Sequence, residues 1–259
     1  MNYERLSASG IKAFYQCQYQ FHLHYNLKLP EEGDPHPLTL MGSALHKMSE
    51  LAVMASLNKT GSTNPLDYKA EACAEFKVLP EHMPLLDEFV KNLNMWGYFR
   101  NIHRVSGCEI GFEFNLSEGS LVKGFIDRLD LFDDTADIID LKTQKKAFEP
   151  EDLAHNWQAR IYNIAVRKKY PQVTNKLSVS FWVVRHQVQK VFLTAEDSIQ
   201  DEVELVRVAE EIKACTDPKP CPTALCQWCG WKKHCPMAGA NIKTRLQNKM
   251  KLTIWKLQS

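Results

Sequence analysis

The sequence has 259 residues, 44% of them hydrophobic and 24% charged, with 32 Lys+Arg against 31 Asp+Glu. This composition excludes disordered, collagen-like, coiled-coil and histone-like basic chains, and a chain of this length folded as one unit buries roughly 73% of its extended-chain area. No apolar run approaches the about 18 residues of a membrane span, and the N-terminus lacks a signal layout, so an intracellular, cytoplasmic protein without membrane contact is expected.

Ser7 and Ser9 can cap a helix carrying Ile11, Phe14, Tyr15 and Phe21, which Leu27 to Pro37 ends. Gly42 opens a second helical stretch with Leu45, Met48, Ala52 and Ala55 on one face. Leu66 to Arg100 reads as further helix broken near Pro80 and Pro84. The period then drops to two: Ile110, Phe112, Phe114 and Leu116 alternate, and Leu121 to Phe132 and Ala136 to Leu141 are β-rich around the turn residues Asp133-Asp134. Pro150 to Lys169 predicts a helix, Leu177 to Val184 and Val188 to Leu193 two strands, and Ala195 to Ala214 a last amphipathic helix. With no internal repeat, the simplest layout is one α/β domain with a helical N-terminal part and a C-terminal cysteine module.

The hairpin carries the most informative chemistry. If Asp133 and Asp134 are the two central turn residues, Phe132 faces Thr135, and five further pairs along the ladder Asp127 faces Asp140. Two carboxylates so placed repel unless a cation or proton neutralises them, and Lys142 projects to the same face as Asp140. A four-residue turn keeps all three on one face; a three-residue turn would separate the carboxylates. Asp130, Asp133, Asp134 and Asp137 are expected to be solvated strand charges. His46 and Glu50 stand four apart on the second helix, and Gln158 and Tyr162 four apart on the helix after the hairpin, each pair on one face.

Five of the eight cysteines, Cys215, Cys221, Cys226, Cys229 and Cys235, crowd near the C-terminus. In a reducing compartment such spacing suits a metal, with Cys226, Cys229 and Cys235 as three ligands and Cys221, His234 or the distant Cys17 as the fourth. Structural zinc answers the pattern, and a thiol redox pair at Cys226-x2-Cys229 is the weaker reading without a thioredoxin-like βαβ setting. Cys73, Cys108 and Cys215 are expected as buried thiols. From Trp231 to Ser259 there are seven basic residues and no acidic one, which suits a phosphate backbone. Trp228 and Trp231 are expected to pack around the metal group.

The ordered series Gly42-x3-His46, Glu109 or Glu113 on a strand, Gly124-x2-Asp127, Asp140-x-Lys142 and Gln158-x3-Tyr162 resembles the PD-(D/E)XK nuclease superfamily, and within it the RecB-like exonucleases. Ile126 stands where the motif usually has proline. The resemblance implies a restriction-endonuclease-like core, with a central mixed sheet flanked by helices. It also implies a magnesium or manganese site with His46, Asp127, Asp140 and the Leu141 carbonyl as ligands. Lys142 would act on the attacking water, Glu109 or Glu113 would be accessory, and Gln158 and Tyr162 would lie near DNA. Cys226-x2-Cys229-x5-Cys235 with Cys17, together with Leu6-Ser7-Ala8-Ser9, Phe14, Phe21 and Tyr25, is similar to the iron-sulfur module of the CRISPR-associated RecB-like exonucleases and the AddB nuclease domain, departing at Gln18. That likeness implies a 4Fe-4S cluster on Cys17, Cys226, Cys229 and Cys235 in preference to zinc.

The expected organisation is a single nuclease domain over 1–259: a mainly helical part to 105, a catalytic core over 106–214, and a cysteine module and basic tail over 215–259, closed by Cys17. The expected function is a metal-dependent DNA exonuclease acting at ends or on single strands in recombination, repair or CRISPR-type processing. No G-x-x-x-x-G-K-[ST] phosphate loop occurs, so any unwinding is expected from a helicase partner. The rival is a non-catalytic nucleic-acid-binding or assembly protein that keeps the fold and the metal staple.

Overall fold

The structure is a computed structural model that describes residues 5–237. The chain divides into two compact units, Met1–Asp34 with Arg207–Ser259, and Pro35–Val206.

In the first unit β1 is Arg5–Leu6 and α1 is Ala8–Gln16, capped by Ser7, whose Oγ accepts the Gly10 N–H at 3.1 Å. The helix expected to run on instead breaks at Cys17, which is extended (φ −162°). There the sulfur itself caps α2, Gln18–Phe21, accepting the Gln20 N–H at 3.5 Å, and a π-turn over His22–Asn26 follows. The returning chain brings the end of α8, Ala195–Ala214, and two short 3₁₀ turns, Ala224–Trp228 and Lys232–His234. Backbone donors sew the two segments together: Tyr19 N–H to the Lys219 carbonyl at 3.2 Å, and Glu32 N–H to the Gly230 carbonyl at 2.7 Å. Trp231 is buried, donating its indole N–H to the Leu29 carbonyl at 2.9 Å. Trp228 is 69% exposed, against the expectation that both tryptophans would be packed away.

The second unit opens with α3 (Pro37–Asn58), α4 (Lys69–Glu75) and α5 (Met83–Trp96). The expected start of α3 at Gly42 is five residues late. Pro37 occupies the first turn, where no N–H is needed, and His36 Nδ1 accepts the Leu38 N–H at 3.2 Å. Pro84 likewise sits in the first turn of α5 rather than breaking it. Strands β2 (Val105–Asn115), β3 (Leu121–Phe132) and β4 (Thr135–Lys142) follow, then α6 (Pro150–Ala154), α7 (Trp157–Lys169), β5 (Leu177–Val183) and β6 (Gln187–Leu193). The single helix expected over 150–169 is split because Asn156 turns out of the helix. Its Oδ1 accepts the N–H groups of Gln158 at 2.9 Å and Ala159 at 3.2 Å, restarting the chain as α7.

The sheet is mixed. β2 pairs antiparallel with β3, and β3 with β4; β4 and β5 run parallel across the α6–α7 crossover, and β6 returns antiparallel. The β3–β4 ladder runs from Phe132↔Thr135 to Arg128↔Ile139, the register of a two-residue Asp133-Asp134 turn. Met41, Leu45 and Met48 from α3, Leu86, Phe89 and Leu93 from α5, and Ile139, Leu141 and Trp182 from the sheet form one buried core.

Two carboxylates expected in solvent are not there. Asp130 is buried and takes both Nε and one terminal nitrogen of buried Arg128 at 2.7 Å, a bidentate pair. Asp137 accepts the hydroxyls of Ser178 at 2.9 Å and Ser180 at 2.8 Å and the Lys190 ammonium at 2.9 Å. Of the three cysteines expected to be buried, only Cys73 is; Cys108 and Cys215 are half-buried.

Candidate active site

One step past the last ladder pair of β3 and β4 stand Asp127 and Asp140. Here the side chain of Asp127 takes over from the ladder: its Oδ2 accepts the Leu141 N–H at 2.8 Å and lies 3.3 Å from His46 Nδ1. His46 reaches it because α3 crosses the end of β4 closely. A Cβ on Gly42 would stand 2.9 Å from Thr143 Oγ1, so glycine lets helix and strand end meet one turn before His46 without displacing the Thr143 side chain. The Leu141 carbonyl faces the His46 imidazole.

Glu109 completes the group. It sits between the pairs Cys108↔Arg128 and Ile110↔Ile126, opposite Asp127, with φ at +48° in the left-handed region. A strand residue other than glycine in that region carries about 1–3 kcal/mol of strain, which concentrates at functional positions. His46, Glu109 and Asp127 each offer a ligand atom within 4.8 Å of one another. The other acidic residue considered on this strand, Glu113, is exposed and pairs with Lys123 at 3.3 Å. Glu50 turns to Lys47, also at 3.3 Å.

Asp140 is buried. Its Oδ1 accepts Gln158 Nε2 at 2.8 Å and lies 3.0 Å from the Tyr162 hydroxyl, while the Lys142 ammonium pairs with Oδ2. The Tyr162 hydroxyl is also 2.8 Å from the Phe125 carbonyl. Gln158 and Tyr162, one turn apart on α7, therefore hold the carboxylate in place. Burial and the nearby Asp140 and Asp127 push the Tyr162 phenol well above its usual range, so it remains a donor.

The electrostatics are those of a site short of positive charge. Burial, then the charge of Asp140, pushes Asp127 up to about 8, against the opposing pull of Lys142 and the Leu141 N–H. Burial and Asp127 raise Glu109 too. Burial lowers His46, which leaves its imidazole neutral and able to coordinate. Carboxylate oxygens with one neutral imidazole form a donor set that suits a hard divalent cation, and such a cation would relieve the repulsion that raises Asp127.

The cysteines meet in the first unit. The Cys221 N–H donates to Cys17 Sγ at 3.4 Å and the Thr223 N–H to Cys226 Sγ at 3.3 Å. Burial pushes the Cys229 thiol up, and Cys17, Cys226 and Cys235 add to this; the Trp231 N–H opposes it. These four and Cys221 line a cavity of about 390 Å³. The tail residues Lys243, Arg245, Lys249, Lys251 and Lys256 lie outside the described residues.

Among the described residues no helix is long and apolar enough to cross a membrane. The hairpin register expected from the sequence brings Asp127, Asp140 and Lys142 into one neighbourhood. The departure of Glu109 from strand geometry and the glycine contact at Gly42 have no sequence signal beyond residue type.

Comparison with known proteins gives the same outline. The chain is 28% identical over 162 residues to a component of the ATP-dependent helicase/deoxyribonuclease in two strains of Streptococcus equi subsp. zooepidemicus, a match covering 56% of this chain and 14% of each relative. The chain therefore spans a small part of those relatives. A crystal structure from Eubacterium rectale, described as a "Putative exonuclease", superposes with a TM-score of 0.51 at 16% identity, covering 86% of each chain, and so shares the fold. The family model of the PD-(D/E)XK nuclease superfamily matches residues 5–236, and the chain belongs to that superfamily.

Proposed function

We propose that the chain is a magnesium- or manganese-dependent deoxyribonuclease that hydrolyses phosphodiester bonds at DNA ends or on single strands. The observation that carries this reading is the convergence of His46, Glu109 and Asp127 beside Asp140 and Lys142. His46, Asp127, Asp140 and the Leu141 carbonyl would hold the cation, with Glu109 as a further ligand. When bound, such a cation lowers the pKa of water and stabilises charge building on the phosphate. Lys142 orients the attacking water or takes its proton, and Gln158 and Tyr162 fix the carboxylate that Lys142 pairs with.

A 4Fe-4S cluster on Cys17, Cys226, Cys229 and Cys235 belongs to the same proposal. It is supported by the backbone donors aimed at Cys17, Cys226 and Cys229 and by the cavity that these cysteines and Cys235 line together. Its role is a staple between segments separated by 208 intervening residues, those between Cys17 and Cys226. The name of the streptococcal relatives supports a helicase partner and a place in recombination or repair.

The test is nuclease assay of the purified chain on single-stranded and duplex DNA with magnesium or manganese, beside Asp140→Ala and Lys142→Ala. Activity in the wild type that falls by about a thousandfold or more in both variants is expected. Equal activity in all three would place hydrolysis elsewhere. DNA binding without cleavage by the wild type would favour the non-catalytic binding protein.

A further inference from the structure

Directly after Lys142 comes Thr143-Gln144-Lys145-Lys146-Ala147-Phe148, a segment with no regular secondary structure that is nonetheless held along its length. The Lys142 carbonyl accepts the Val184 N–H at 3.0 Å. The Thr143 carbonyl accepts Arg185 Nε at 3.0 Å, and the Lys145 carbonyl is 2.6 Å from His186 Nε2. The Lys146 carbonyl accepts Gln144 Nε2 at 2.6 Å. Phe148 exchanges two hydrogen bonds with the Gln189 amide, both at 2.8 Å, and its ring packs on Phe181 at 5.0 Å between centroids. Five backbone carbonyls in seven residues are thus tied down, while the side chains of Lys145 and Lys146 are exposed. Among the described residues neither ammonium has a carboxylate within ion-pair distance. Lys47, Lys69, Lys123, Lys168 and Lys190 of the same unit are paired, whereas other lysines without a carboxylate in reach among the described residues, Lys176 for one, lie away from Lys142, so it is position beside the site that distinguishes Lys145 and Lys146.

We propose that Lys145 and Lys146 form a fixed phosphate rest for the DNA strand, engaging backbone phosphates next to the one positioned at Lys142. The assignment rests on the nuclease reading and specifies how that site holds its substrate. Three reasons carry it. Lys145 and Lys146 follow Lys142 by three and four residues, at most about 11 and 14 Å of chain, a span of about two nucleotides of backbone. They are uncompensated, so a phosphate need not displace a carboxylate to reach them. The clamped backbone has little conformational entropy left to lose on binding. Such contacts position a strand without reading its sequence.

The experiment measures binding of a fluorescent single-stranded oligonucleotide in calcium, which leaves the DNA intact, across a salt series. Each phosphate contact contributes about 0.7 to the slope of log affinity against log salt on a single strand. Lys145→Ala/Lys146→Ala is expected to reduce that slope by about 1.4 and to weaken binding uniformly across sequences. The control is Lys176→Ala, an exposed lysine just before β5, at the end of that strand away from Val183. It is expected to leave the slope unchanged, and thermal melting of each variant verifies folding. An unchanged slope in the double variant, with wild-type cleavage intact, overturns the phosphate rest alone. A reduced slope in a chain that binds but does not cleave keeps it and removes the nuclease reading. A wild type that neither binds nor cleaves removes both.

Discussion

The two clusters of metal-ligand residues are built by opposite means. The carboxylate site grows from three strands, β2 to β4, and two helices of a single unit, and the ligand atoms of His46, Glu109 and Asp127 crowd within 4.8 Å although burial and the neighbouring Asp140 both disfavour charge on Asp127. The cysteine site joins chain segments from the two ends of the sequence, and its sulfurs stand around a cavity of about 390 Å³. Oxygen donors suit a hard cation, and thiolates a softer group. In the first site the protein carries electrostatic cost that a cation would relieve. In the second the proposed cluster would close the loop between Cys17 and Cys226.

The sharpest way to break that contrast is to remove the staple. Cys17→Ser is expected to lose the cluster's visible absorption and to cost roughly 4–5 kcal/mol of stability, by analogy with a cross-link closing a loop of this size. Cys221→Ser, whose backbone N–H donates to Cys17 Sγ, is expected to retain both iron and stability, because its contribution is from the main chain. Absorption spectra and metal analysis of anaerobically purified variants, followed by denaturant melts, measure this. Colour lost in Cys221→Ser and kept in Cys17→Ser would move the fourth ligand to Cys221. A colourless zinc protein would end the difference in donor softness between the two sites.

The hairpin was legible for a physical reason. Asp133-Asp134 is turn chemistry, the strands alternate, and side-chain period two then forces Asp127, Asp140 and Lys142 into a common neighbourhood. Asp130 and Asp137 sit in the same hairpin and were misread as solvated. Arg128 lies two residues from Asp130 on the same face of β3, a pairing that side-chain alternation alone allows, whereas Ser178, Ser180 and Lys190 reach Asp137 only because β5 and β6 lie beside β4. The division of 150–169 into two helices turned on one asparagine whose cap competes with helix propagation, a choice propensity leaves open. Glu109 could be offered only as one of two candidates, since its left-handed backbone is imposed by the site and not by its residue type.

A smaller effect tests whether the carboxylate site depends on helix approach as closely as the geometry indicates. Gly42→Ala places a methyl 2.9 Å from Thr143 Oγ1 and is expected to destabilise by about 1–3 kcal/mol and to weaken divalent-cation affinity by moving His46. Adding Thr143→Ala removes the colliding hydroxyl, so the pair is expected to recover most of both losses, a coupling read from a double-mutant cycle in thermal melts with and without manganese. Strict additivity would mean that the close approach does not position His46.

The last contrast is in pH. Asp127 has its folded-state pKa raised from 3.8 to about 8 in the absence of a cation, chiefly by burial and by Asp140. Between those two values the native state holds a proton that the unfolded chain has lost, so metal-free stability falls as pH rises from about 4 and the loss is complete above about 8. A cation must displace the same proton, so its apparent affinity rises across this window by up to about tenfold, or about 1.4 kcal/mol, per pH unit, and then levels off. His46 does not reverse the trend, because burial lowers its pKa and leaves it neutral over most of the range. The expected observation is a manganese-induced rise in melting temperature that is larger at pH 8 than at pH 6, with protons released on titration at pH 7. Asp127→Asn keeps an oxygen to accept the Leu141 N–H but has no proton to lose. It is expected to melt higher than the metal-free wild type at pH 8 and to lose the pH dependence of the metal response. Equal manganese shifts at both pH values in the wild type would show that Asp127 is already ionised without a cation, and that the crowding of the carboxylate site carries no electrostatic cost.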